Sequence, residues 1–375
     1  MPPTSAVPRT LPAAALALLS AACVPVSAAA RPSAPSPAPA ATAFLHATVV
    51  PMDEERVLRD HTVIVADGEI VAVGPTSEVE VPAGAARIDA AGRTLLPALC
   101  DMHVHLLGES WNAMLPPEDR LASEEVPFER FLFPYLANGV TTVQVLSAAP
   151  EHVALRRRIE GGELLGPRMI LARMIDGPDK AWPPPLSTWV ASPEEAREAV
   201  RQVKEAGYDM MKVYSFLDPA SYDAIVETAD ELGMDVIGHI PMSLSLDYVL
   251  EAGQKLIAHS EEVEKHAGDS GDEGIEELAE TMAAHGVWMI PTLVTTESIL
   301  EIFADTEGLL ARPEAAYFTH PMQRGLWSFL VERLYLPIPE EKRRRIADGL
   351  AFQRPLTRAL QAKGGKLLAG LAAAP

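Results

Sequence analysis

Cysteine is nearly absent: 375 residues carry only Cys23 and Cys100. A disulfide scaffold is therefore excluded, and once Cys23 is removed or acylated no internal bridge can form. Basic residues are also in deficit, with 31 Lys and Arg against 52 Asp and Glu and a formal net charge of -21. A surface this acidic repels phosphate backbones and anionic headgroups, so nucleic acid is not an expected partner. The N-terminal apolar run Leu11–Ala22 is too short to cross a bilayer comfortably. Finally, no aspartate follows Asp348. What is present is ample apolar content, 48% of the chain, enough for a real core.

Met1–Ala30 combines one basic residue, Arg9, with the run Leu11–Ala22 and a small-residue stretch, the layout of a secretory signal. A buried N-terminal helix is disfavoured by Pro2, Pro3, Pro8 and Pro12. Cleavage is expected near Ala28–Ala30, or before Cys23, where Leu19-Ser20-Ala21-Ala22-Cys23 resembles a bacterial lipobox with Ser20 in place of the preferred Leu. The expected location is exported: periplasmic, secreted, or a cell-envelope lipoprotein whose only membrane contact is a lipid anchor at Cys23. Residues 31–42 read as a Pro/Ala-rich tether.

From 43 to 96, short apolar or alternating runs (Phe44–Val50, Thr62–Val65, Glu69–Val73, Arg93–Leu96) are broken by Asp67-Gly68, Gly74-Pro75 and Gly92. These predict a small antiparallel β module. From 97 to 375 the pattern becomes β-rich runs separated by helical stretches. Strands are expected at Leu99–His103, Thr141–Leu146, Arg168–Leu171, Met211–Tyr214, Asp235–His239, Lys255–His259, Trp288–Thr292 and Lys366–Ala369. Ser192-Pro193-Glu194-Glu195 and Asp218-Pro219 are helix starts. Eight strands in this rhythm fit an α/β TIM (β/α)8 barrel. The alternative, a doubly wound sheet, lacks its Gly-rich phosphate loop after the first strand.

His103 and His105 stand two apart on a strand and so share a face, where neutral imidazoles can bind one divalent cation. Lys212 lies in the apolar fourth strand, and His239 and His259 end the fifth and sixth. All fall at or near strand C-terminal ends, the face where a TIM barrel gathers catalytic groups. A lysine in an apolar strand pairs with a buried charge or has a lowered pKa. Neutral lysine can add carbon dioxide to give a carbamate able to bridge two cations.

The segment Leu95-Leu96-Pro97-Ala98-Leu99-Cys100-Asp101-Met102-His103-Val104-His105-Leu106 resembles the first-strand motif of the amidohydrolase superfamily, as Asn138-Gly139-Val140-Thr141-Thr142-Val143 resembles its second strand. The likeness is to the imidazolonepropionase-like and prolidase-like branch and runs from Phe44 onward. It implies that His103 and His105 bind the first of two divalent metals, zinc by preference, and His239 and His259 the second. It further implies a carboxylated Lys212 bridging both, Tyr214 contacting a small-molecule substrate, and residues 43–96 forming a β-sandwich module beside the barrel. The activity implied is hydrolysis of an amide C–N bond in a small N-acyl or peptide-like compound. Ring deamination is the runner-up, which the bridging lysine disfavours. Two departures stand out. Ala98 replaces the usual Gly, and after Lys366-Leu367-Leu368-Ala369-Gly370 the chain reads Leu371-Ala372-Ala373-Ala374-Pro375 where the family has Gly-Thr-Asp. That aspartate binds the first metal and takes a proton from water. The expectation is thus an incomplete barrel, without its last helix and C-terminal sandwich strands, with a truncated or non-catalytic metal binder as the competing function.

Overall fold

A computed structural model describes residues 41–122, 126–178, 182–267, 271–313 and 320–372. The signal and lipobox readings, with most of the tether, lie outside these residues. The chain divides into two units, residues 1–96 and 97–375.

In the first unit, β1 (Ala41–Val49), β2 (Leu58–Ala66), β3 (Glu69–Pro75), β4 (Ala86–Asp89) and β5 (Thr94–Leu95) form a sheet of order β3-β2-β1-β4, with β5 also on β1. Asp67 and Gly68 both have positive φ, 49° and 82°, as the β2–β3 hairpin turn requires. Two expectations need correction. Ala41 and Thr42 are not tether but strand, paired with Ala66 and Val65. The sheet is not wholly antiparallel, because β4 and β5 run parallel to β1. β4 escaped sequence reading because Ala86-Arg87-Ile88-Asp89, although it alternates, is only four residues long and largely exposed.

The second unit carries eight parallel strands in the order β6 (Leu99–Val104), β7 (Val140–Val145), β8 (Arg168–Asp176), β10 (Met210–Val213), β11 (Asp235–Gly238), β12 (Leu256–Ala258), β13 (Trp288–Ile290) and β14 (Lys366–Leu367); a short β9 (Thr188–Trp189) pairs with β8. Backbone hydrogen bonds then join the two ends of this curled sheet. Met102 N–H donates to Ala369 O at 2.9 Å and Ala372 N–H to His103 O at 2.7 Å. Inside, Leu146, Ala172, Ile237, Leu256, Ala258 and Ile290 pack together, as the filled core of a TIM barrel requires.

Helices cover the outside, and their starts follow from local chemistry. Ser192 accepts from Glu195 N–H at the head of α4 (Pro193–Ala206), whose buried Ala196, Ala199, Val200 and Val203 make the i, i+3, i+4, i+7 stripe facing the sheet. Gly207, at φ 90°, ends it. Asp218 likewise caps α5 (Pro219–Glu231) by accepting from Ser221 N–H. A 23-residue helix, Glu340–Ala362, precedes β14.

Candidate functional site

All the histidines singled out above gather at the C-terminal mouth of the barrel. His103 is the last residue but one of β6, with His105 just beyond the strand; His239 follows β11 and His259 follows β12. The Nε2 atoms of His103 and His105 face each other at 3.3 Å. The ring of His259 lies 4.5 Å from that of His103 and 5.0 Å from that of His239. Burial holds His103 and His259 well below the ordinary imidazole range and His105 at about 3, so all are neutral near pH 7.

Three of the four outer nitrogens are held by the protein. His105 Nδ1 is 2.7 Å from Ser147 Oγ and His259 Nδ1 is 2.7 Å from Thr292 Oγ1. His239 Nδ1 lies 3.2 Å from both Ser215 Oγ and Glu262 Oε1. His103 Nδ1 and His239 Nε2 are buried with no hydrogen-bond partner. Inner imidazole nitrogens left to the cavity, with outer ones fixed by hydroxyl or carboxylate, are the donor chemistry zinc prefers. Among the described residues no three His, Cys, Asp or Glu side chains already meet around one point. The fit therefore rests on donor type, the facing pair and the unpartnered nitrogens.

Lys212, in β10, is almost wholly buried at 1% exposed, and burial lowers its pKa to about 7. Its charge bears on all four histidines. Gly238 leaves room for it: at φ 125°, a Cβ there would meet Val213 O at 2.3 Å and Lys212 Cγ at 2.9 Å. Tyr214 stacks on His239 with ring centroids 4.0 Å apart.

Three residues that sequence reasoning missed complete the surroundings. Glu262, 1% exposed, follows His259 by three positions. Burial alone would raise its pKa, but His239 and Lys265, the latter at 2.6 Å, keep it ionised and below the carboxylate range. Asp176 ends β8 and is buried with its pKa raised by desolvation to about 6. Its Oδ1 accepts from Gly177 and Phe216 N–H groups, which fixes the turn after β10. Asp101 Oδ1 accepts from His103 N–H and from Leu371 N–H, tying the eighth-strand segment to the first. Gly370 sits against His103, where a Cβ would lie 2.8 Å from His103 N. Leu371 and Ala372 follow it, so the described end of the eighth strand brings no carboxylate to the mouth.

The amidohydrolase family matches residues 94–312, more than half of the chain. A 5-methylthioadenosine/S-adenosylhomocysteine deaminase of Symbiobacterium thermophilum is 30% identical over 273 residues, 62% of this chain and 59% of the relative. An imidazolonepropionase of Mycolicibacterium smegmatis is 41% identical over 86 residues, 23% of this chain and 19% of the relative. The chain thus spans under two thirds of either curated relative. Among solved structures, a protein from Bifidobacterium longum assigned as a prolidase superposes with a TM-score of 0.61 at 23% identity, covering 90% of this chain and 74% of that one.

Proposed function

The chain belongs to the amidohydrolase family, and from that premise we propose that its mouth binds two divalent cations, zinc by preference, and hydrolyses an amide C–N bond of a small N-acyl or peptide-like substrate. The observation that carries this reading is the facing pair His103 Nε2 and His105 Nε2 at 3.3 Å, ringed by two further neutral histidines. His103 and His105 would hold one cation and His239 and His259 the other. Divalent cations at such a site lower the pKa of water and polarise a carbonyl.

The chain's own residues supply the rest. With a pKa near 7, Lys212 is partly neutral at physiological pH, the form that would add carbon dioxide and release a proton to give an anionic carbamate able to serve as a metal ligand. Glu262 accepts the Nδ1 proton of His239, which fixes the tautomer and turns Nε2 inward. Tyr214, stacked on His239, lines the cavity and would contact the substrate there.

A second reading, metal binding without turnover, is favoured by one observation: Leu371 and Ala372 follow Gly370 with no aspartate. Loss of a general base lowers rates by about two to four orders of magnitude. Both readings predict that elemental analysis finds divalent metal in the purified protein and not in His103→Ala/His105→Ala. Equal metal in the two proteins would refute both. Turnover of a panel of N-acyl amino acids, dipeptides and their uncharged carboxamide counterparts separates them.

A further inference from the structure

We propose that the cavity above the histidines recognises an uncharged aromatic group on its ligand and rejects a free carboxylate there; the scissile amide in this picture rests on the hydrolase reading, the recognition does not. The cavity measures about 260 Å³, just below the roughly 300–1,000 Å³ that takes drug-sized ligands, so the ligand is small, one ring and its amide. Of the chain's five tryptophans, Trp111, Trp182 and Trp327 line it.

Two of these belong to a continuous aromatic belt that starts and ends on the histidines. The rings of His105 and Trp111 lie 6.4 Å apart, and those of Trp111 and Trp182 5.7 Å apart edge to face. Trp182 Nε1–H donates to the Tyr214 hydroxyl at 3.4 Å, and Tyr214 reaches His239. Edge-to-face and offset contacts of this kind suit a further ring. The belt is also held in place. Buried Arg173 donates to Pro185 O at 2.6 Å, Ala148 O at 3.2 Å and Thr188 Oγ1 at 3.0 Å, pinning the segment that carries Trp182.

Charge decides against an acid. Among the described residues lining the cavity, Glu261 is the one formally charged side chain, and it is an anion already paired with Lys265 at 3.2 Å. Lys212 Nζ lies 5.2 Å from the centre of the Tyr214 ring but outside the lining, and a carboxylate buried against aromatic walls with no cation among the described lining residues loses its hydration uncompensated.

The test compares 3-phenylpropionamide with 3-phenylpropionate, near-isosteres differing in charge, by calorimetric titration. Titrations use the protein as purified and again after chelation, which separates coordination of a carboxylate to metal from recognition by the walls. The expected result in chelated protein is at least tenfold tighter binding of the amide, reduced about fivefold in Trp327→Leu and unchanged in Trp288→Leu, whose indole is not part of the cavity lining. Equal or tighter binding of the carboxylate after chelation would overturn the proposal, as would a Trp327→Leu protein, folded by circular dichroism, that binds the amide as the parent does. An amide preference in a protein that never binds metal would leave this inference standing and remove the hydrolase reading.

Discussion

The two sides of the barrel mouth hold their histidines by different means. On the β11–β12 side His259 has a hydroxyl partner, that of Thr292, but His239 leans on Glu262, a buried carboxylate whose charge is balanced by Lys265. On the β6–β14 side no charged group among the described residues meets an imidazole ring: beyond its contact with His103, His105 has the Ser147 hydroxyl, His103 Nδ1 has no partner, and the strand that carries them is held by N–H groups donating to the Asp101 carboxylate and by Ala372 N–H donating to His103 O. A buried charge network resists small displacements and fails abruptly when one member is removed. Hydroxyl and backbone support yields gradually. The first side should therefore be brittle and the second tolerant.

The largest effect should follow from Glu262→Gln. Hydrogen bonds to a charged group are worth about 1.5–3 kcal/mol, and because Lys265 is half-exposed and keeps Glu261 as a partner a loss of about 2–3 kcal/mol is expected in urea unfolding. Adding Lys265→Met should recover part of that loss; a double variant no more stable than the single one would show that the pair is not the source of the brittleness.

Gly370→Ala comes next and probes the other side. The new methyl would sit 2.8 Å from His103 N and 2.7 Å from Ile290 Cγ2, and since backbone cannot move aside cheaply the overpacking should cost about 1–3 kcal/mol. Metal content, measured alongside the melt, should fall too. A variant that melts and loads like the parent would mean that β14 is not packed tightly on β6.

Ser147→Ala removes the hydroxyl partner of His105. Outer partners of metal-binding histidines are worth roughly 10–100-fold in affinity, and a hydroxyl belongs at the low end, so zinc competition should show about a tenfold loss with stability changed by about 1 kcal/mol. A loss as large as that from Glu262→Gln would erase the contrast between the two sides.

The smallest effect is a control away from the mouth. Asp218→Ala removes the cap of α5 and should cost about 1 kcal/mol without altering metal content. The Ser221 hydroxyl holds the Asp218 carboxyl below its ordinary range. Its folded pKa is thus depressed, so the cap contributes fully above the unfolded value of about 3.9 and loses its contribution as pH falls through the folded one. Stability curves of variant and parent should converge in acid; a gap that widened below pH 4 would reverse the assigned sign.

The histidines and Lys212 were legible because a polar residue closing an apolar β-run is conspicuous, and eight such runs leave few ways to arrange their ends. The residues behind them were not. Glu261-Glu262 looks like any acidic helix start, and only the packed helix shows that one carboxylate turns inward to 1% exposure while its neighbour stays half-exposed along the cavity. Asp176 was lost because the third strand was expected to stop at Leu171. Arg173 breaks the apolar run, yet the strand continues to Asp176 since that guanidinium finds its acceptors in carbonyls distant in sequence. Parallel pairing of β4 and β5 with β1 had no local signal either, as their register depends on where the chain returns and not on what the short runs contain.

His259 and Thr292, joined by their 2.7 Å hydrogen bond, both have left-handed backbones, at φ 76° and 50°. For a β-branched threonine this is an outlier, and such conformations cost on the order of 1–3 kcal/mol each. A laboratory selection for heat resistance alone would meet that strain as an opportunity. Glycine or asparagine at 292 relaxes the backbone and, in the same step, frees the imidazole of His259 to rotate. Thermostable variants recovered without selecting for chemistry should accumulate substitutions at this pair, and their appearance would trace where the chain gives up rigidity of fold for a fixed ligand.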